Sequence, residues 1–80
     1  MKIQYTEGAV EDLARLPKRV AEQIIRKITR LEHGLHGDIK RLQGHDNAYR
    51  LRSGDYRILF DVEDDTAVVQ RIGNRKDIYE

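Results

Sequence analysis

An α+β domain is predicted, with two N-terminal helices packed on a small, mostly antiparallel sheet in the order β-α-α-β-β-β. Three observations predict it. Two stretches of helical periodicity precede Gly34, alternating apolar residues flank the turn signal Ser53-Gly54-Asp55, and a third β-branched run follows the polar Glu63-Asp64-Asp65-Thr66. The 80 residues leave room for a single domain, residues 1–80. A chain of this size buries only about 60–65% of its unfolded surface, so modest stability is expected.

Lys2-Ile3-Gln4-Tyr5 alternates polar and apolar residues and is predicted as a short strand facing the core through Ile3 and Tyr5. Thr6 can cap a helix from about Glu7 to Leu16, with Ala9, Leu13 and Leu16 at helical spacing and Glu7, Glu11 and Asp12 towards the end where the dipole favours acids. Pro17 ends it and can open a second helix at once. In that helix Val20, Ile24, Ile28 and Leu31 form an apolar stripe widened by Ala21 and Ile25, and Gly34 stops it. Its other face carries Arg19, Glu22, Gln23, Arg26, Lys27 and Arg30. Such a face can touch RNA or protein, although the solvated side of an amphipathic helix is the commoner explanation.

His33 to Asn47 reads as a loop with Leu35, Ile39 and Leu42 as isolated apolar anchors. His33, His36 and His45 lie in this loop without acidic partners at a recognised ligand spacing, so metal binding is not expected. After the hairpin, Ala67 to Ile72 has apolar residues in both parities, which predicts an interior strand covered on both faces for at least part of its length. Gly73 is expected to break it, leaving Asn74 to Glu80 beside the strand ends.

The formal net charge is only +1, from 15 basic and 14 acidic residues, but the charges are segregated. Asp61, Glu63, Asp64 and Asp65 cluster after the hairpin, whereas Arg71, Arg75 and Lys76 precede the next acid at Asp77. A local basic surface is compatible with this near neutrality, as a small nucleic-acid site requires. There is no cysteine, which removes disulfides and thiolate metal sites and favours an intracellular setting. No apolar run approaches the roughly 18 residues of a membrane span, and the start lacks a signal peptide's apolar region, so a complete cytoplasmic chain is expected.

Chemistry concentrates in Tyr49-Arg50-Leu51-Arg52-Ser53-Gly54-Asp55-Tyr56-Arg57-Ile58-Leu59-Phe60. Alternation sets Arg50, Arg52 and Arg57 against Tyr49, Leu51, Tyr56, Ile58 and Phe60, and any register that keeps the apolar face together brings Arg57 opposite Arg50 or Arg52. That juxtaposition costs about 0.2–1 kcal/mol unless an anion lies between the side chains. Three guanidinium groups on one face would cradle a phosphate, and long arginines splayed over a solvated strand face are the alternative. The hairpin alone leaves both open.

Taken together, that phrase, the ending Arg71-Ile72-Gly73-Asn74-Arg75-Lys76-Asp77-Ile78-Tyr79, the helix ending Asp12-Leu13-Ala14-Arg15-Leu16-Pro17 and the element order resemble the RelE/ParE superfamily of toxins from type II toxin–antitoxin systems. The similarity spans nearly the whole chain and looks closest to the RelE branch, the ribosome-dependent endoribonucleases or mRNA interferases. The resemblance implies a metal- and cofactor-independent reaction in which the mRNA 2′-hydroxyl attacks the adjacent phosphate, leaving a 2′,3′-cyclic phosphate and a 5′-hydroxyl. Carried over by position, Arg57 matches the hairpin arginine assigned to the scissile phosphate and Arg75 the late arginine that supports the same charge. Arg50 falls where the family uses a basic residue for proton transfer or charge stabilisation, and Tyr79 matches a tyrosine that orients the nucleotide. Arg52 and Lys76 are candidates for RNA-backbone contacts.

Arginine stays protonated and makes a poor general base, and Asn74, which stands where many relatives carry histidine, cannot titrate. Charge stabilisation and alignment of the mRNA by the ribosome are therefore expected to carry the reaction. Structural alternatives for the same residues are ion pairs of Arg57 with Asp55 or Asp61 and of Arg75 with Asp77, and a core position for Tyr79. The resemblance also implies a cognate antitoxin as partner, covering apolar helix surface and offering acids to the arginine face, with operator DNA reached only through that complex. A ParE-like, non-catalytic inhibitor of DNA gyrase is the alternative function, since one fold hosts both. An inactive module that only pairs with an antitoxin is a third.

Overall fold

The computed structural model describes residues 1–35, 37–42, 44 and 48–78. Its first element is the strand β1, Lys2–Tyr5, followed by helix α1, Glu7–Ala14, and helix α2, Lys18–Thr29, which runs into a 3-10 turn at Arg30–His33. The strands β2, Ile39–Arg41, β3, Ala48–Ser53, β4, Tyr56–Glu63, and β5, Thr66–Asn74, complete a five-stranded sheet in the order β1-β5-β4-β3-β2. Only β1 and β5 are parallel; the other neighbours are antiparallel.

Local sequence accounts for the helix ends. The Thr6 hydroxyl accepts from the Ala9 N–H at 3.1 Å and so satisfies one of the first-turn donors that α1 leaves unpaired. The helix closes at Ala14, two residues before the expected Leu16, because the residue preceding a proline is sterically biased away from helical backbone. Pro17 then occupies the cap of α2. Gly34, at φ 115°, takes the left-handed conformation that ends the 3-10 turn.

Ala9 of α1, Ile24 and Ile28 of α2, and Leu31 pack with Leu51, Ile58, Phe60, Ala67, Val69 and Ile72 in one buried cluster. The Tyr49 and Phe60 rings stack across β3 and β4 with centroids 5.5 Å apart. Burial pushes the partly enclosed Tyr5 phenol above its ordinary pKa. No helix among the described residues is long and apolar enough to cross a membrane.

The pattern of apolar residues in β5 has a different cause from the one its sequence suggests. Leu59 pairs with Arg71 but Phe60 pairs with Val69, so Gln70 is an extra residue that forms a β-bulge. The bulge switches parity within the strand. Ala67, Val69 and Ile72 consequently reach the same buried face, opposite Val62, Phe60 and Ile58, and cover on both faces is not needed to explain the run. Nor does Gly73 break the strand, which continues to Asn74. Within the expected loop, Ile39–Arg41 forms an edge strand on β3, too short for its alternation to register in sequence.

Asp12 fastens α1 to β5. One carboxylate oxygen accepts from the Arg71 Nε and from the Ile72 N–H, each at 2.9 Å, and the side chain is only 11% exposed. Asp12→Ala leaves the Ile72 donor unpaired and is expected to cost about 1–3 kcal/mol, with Asp12→Asn milder because it keeps an acceptor. Urea unfolding of the two variants measures the difference.

Candidate functional site

The sheet face opposite the helices is organised by register. Arg52 pairs with Arg57, which pairs with Gly73; two residues along, Lys40 pairs with Arg50 and Arg50 with Leu59. Paired residues point to the same side with Cβ atoms about 5 Å apart, so Arg50, Arg52 and Arg57 occupy adjacent rows of one face. The hairpin turn that sets this register has Gly54 at φ 59° in its first position, the conformation a II′-type connection requires there.

Arg52 and Arg57 are thus direct cross-strand partners, and their charges are drawn apart. The Arg57 Nη1 donates to the Gly54 carbonyl at 2.8 Å and the Tyr56 carbonyl at 2.9 Å, inside its own hairpin turn. Arg52 Nε lies 3.3 Å from the Asp38 carboxylate, with both side chains more than half exposed. Relief of the repulsion therefore needs no bound anion. Asp61, one expected partner for Arg57, instead accepts from the Gln70 Nε2 at 3.0 Å.

Arg57 is nevertheless unusual, because it is 9% exposed and forms no ion pair among the described residues. The two carbonyls occupy the hydrogens of one terminal nitrogen. Nε and Nη2 keep three donors in a fixed plane. Opposite Arg57, Gly73 has no side chain, and Ile78 packs against the vacant position, 3.8 Å from where a Cβ would stand.

The C-terminal turn brings Arg75 and Lys76 to the same end of the sheet. The Arg75 N–H donates to the Asp55 carbonyl at 2.8 Å, tying this turn to the hairpin. Its side chain is exposed and has no ion-pair partner among the described residues, Asp77 included. Lys76 is exposed as well, and its N–H donates to the Asn74 Oδ1 at 3.0 Å. Asn74 also accepts through its carbonyl from the Asp77 and Ile78 N–H groups, so this residue, which sequence marks only as unable to titrate, builds the turn that carries Arg75.

Tyr79 lies outside the described residues, as do His36 and His45. Among the described residues no group of three His, Cys, Asp or Glu side chains is placed to hold a metal ion. Lys40, beside Arg50, is a basic neighbour missed from sequence; Ile39-Lys40-Arg41-Leu42 shows no period-2 alternation that would have marked it.

A family model described as the ParE toxin of type II toxin–antitoxin systems matches residues 3–79. Toxin RelE3 of Methanocaldococcus jannaschii is 34% identical over 85 aligned positions, covering 100% of this chain and 97% of that one. The toxin in the RelB–RelE antitoxin–toxin complex from Methanococcus jannaschii superposes with a TM-score of 0.82 at 32% identity, over 95% of this chain and 94% of that chain. The RelBE2 toxin–antitoxin complex from Mycobacterium tuberculosis gives 0.80 at 25% identity, over 92% of this chain and 96% of that chain. The isolated Escherichia coli RelE toxin, at 21% identity and over 98% of this chain and 89% of that chain, shares the fold with a TM-score of 0.81.

Proposed function

The chain belongs to the RelE/ParE family of toxins from type II toxin–antitoxin systems, and on that premise we propose that it is a ribosome-dependent endoribonuclease that cuts mRNA and stops translation. One observation carries this reading: Arg57 is buried on the arginine face yet braced by main-chain carbonyls, with no carboxylate among the described residues paired to its charge.

In the proposed reaction the 2′-oxygen loses its proton and bonds to the adjacent phosphorus, while the bond to the 5′-oxygen breaks and that oxygen takes up a proton. The products are a 2′,3′-cyclic phosphate and a 5′-hydroxyl. Negative charge on the non-bridging oxygens peaks between these events, and donors already fixed in place stabilise it more than the ground state. Arg57 would supply such donors. Arg50 adds charge from the neighbouring row and Arg75 reaches in from the C-terminal turn, while Arg52, once released from its exposed pair with Asp38, and Lys76 meet the RNA backbone. Tyr79 is proposed to orient the nucleotide. The ribosome supplies the in-line alignment.

The partner proposed from the same premise is a cognate antitoxin, for the compared RelB–RelE and RelBE2 structures are toxin–antitoxin complexes. Val10 on α1 is 54% exposed and Ile25 on α2 41%, apolar surface of the kind such a partner covers. A cytoplasmic location follows from this function.

Controlled expression followed by mapping of cellular mRNA 5′ ends tests the reading. Codon-phased cuts are expected from the parent and should fall about tenfold or more in Arg75→Ala, whose exposed guanidinium contributes to charge stabilisation without bracing the fold. DNA damage without phased cuts would replace the nuclease with a gyrase inhibitor.

A further inference from the structure

The helix face that sequence left undecided takes on meaning from its neighbours. Arg26 and Lys27 of α2 and Arg30 of the 3-10 turn that follows it wall a groove of about 480 Å³ whose other side is the hairpin turn Ser53, Gly54 and Asp55. A smaller groove of about 100 Å³ between the same helix and β3 is lined by Lys27 and Arg30 together with Arg52 and Asp38. Lys27 and Arg30 therefore belong to both grooves, and Arg52 belongs both to the smaller groove and to the arginine face. A basic track runs from the face around the hairpin to α2.

None of the three helix side chains has an ion pair or side-chain hydrogen bond among the described residues. Among the described residues Asp55 is the one carboxylate lining the larger groove, and Glu22, a turn earlier on α2, lines another groove that Arg26 and Arg30 also border. Their position near the C-terminal end of α2 suits the helix dipole, but Arg26 and Arg30 at i and i+4 repel each other by a few tenths of a kcal/mol. The dipole also gives no reason for a groove to stand open beside them.

We propose that the α2 groove is a second RNA-binding site, which holds the phosphate backbone of an RNA strand at a distance from the arginine face. A phosphodiester chain carries a regular row of anions and can follow a track that bends around a hairpin. An acidic peptide helix would need a row of apolar anchors, and among the described residues this groove offers only Val20 and Tyr56 beside three basic side chains. The inference rests on the nuclease reading in taking RNA as the polyanion, and it assigns the helix a binding role separate from the reaction.

Binding of a labelled, short, single-stranded 2′-O-methyl RNA, which cannot be cleaved through a 2′-hydroxyl, is to be followed by fluorescence anisotropy between about 50 and 200 mM salt. Arg26→Gln/Lys27→Gln/Arg30→Gln removes three phosphate contacts, so the slope of log K against log salt should become shallower by about 2, at about 0.7 per single-strand contact. Glutamine is as good a helix former as the residues it replaces, and an unchanged melting temperature confirms the fold. An unchanged slope in the triple variant, failure of the parent to bind the probe at the lowest salt, or binding of an acidic peptide in place of the RNA would each overturn the proposal. Phased mRNA cleavage by the same proteins separates the two ideas. Altered slope without any cleavage by the parent refutes the nuclease and supports the track; cleavage with an unaltered slope does the reverse.

Discussion

Arg57→Ala is expected to lower mRNA cleavage about 10²–10³-fold, the scale on which removing one preorganised donor from a developing oxyanion acts. Arg57 has a second task, since its Nη1 satisfies the Gly54 and Tyr56 carbonyls. The alanine variant should therefore also lose about 1.5–3 kcal/mol, as charged hydrogen bonds of this kind contribute. Arg57→Lys separates the tasks. An ammonium can reach the turn carbonyls, but once there it has no planar fork left for a phosphate. The lysine variant should melt close to the parent and cleave almost as poorly as alanine. Ribosome-programmed cleavage kinetics beside thermal unfolding give both readouts, and full activity in Arg57→Lys would show that position-independent charge suffices.

Phe60→Ala is expected to have the largest effect on stability, about 3–5 kcal/mol for truncating a buried aromatic ring. Phe60 is 1% exposed, stacks on Tyr49, and sits at the register shift that turns Val69 and Ile72 to the same face. A domain of this size has a total stability of only about 4–12 kcal/mol at 0.05–0.15 kcal/mol per residue. The variant should thus be substantially unfolded at modest urea, and toxicity should fall with every arginine still in the chain. Comparing it with Arg57→Lys distinguishes loss of the fold from loss of the chemistry.

Legibility followed the range of the interactions. Thr6, Pro17 and Gly34 act on backbone within a few residues of themselves; the ends of α1 and the start of α2 agree with the structure to within two positions, whereas α2 gives way at Thr29 to the 3-10 turn that Gly34 closes. The hairpin was equally readable, because parity alone forces Arg57 opposite Arg50 or Arg52, and the pairing with Arg52 is one of those alternatives. The strand β2 was not, since three residues carry too little alternation and its stability comes from β3. Nor was the bulge at Gln70, which depends on how β5 meets β4 and which sequence presents only as an apolar run in both parities.

By itself the sequence determined the α+β class, the buried helical positions Ala9, Ile24, Ile28 and Leu31, though Ile25, expected beside them, is exposed, and the shared face of Arg50, Arg52 and Arg57, because each depends on periodicity along a short stretch of chain. Tertiary structure alone decided that Arg57 turns to carbonyls while Arg52 turns to Asp38, that Asp12 holds β5, and that the C-terminal turn brings Arg75 to the hairpin. Those outcomes depend on which donors and acceptors from distant segments come within about 3 Å of one another, a selection that no local pattern encodes.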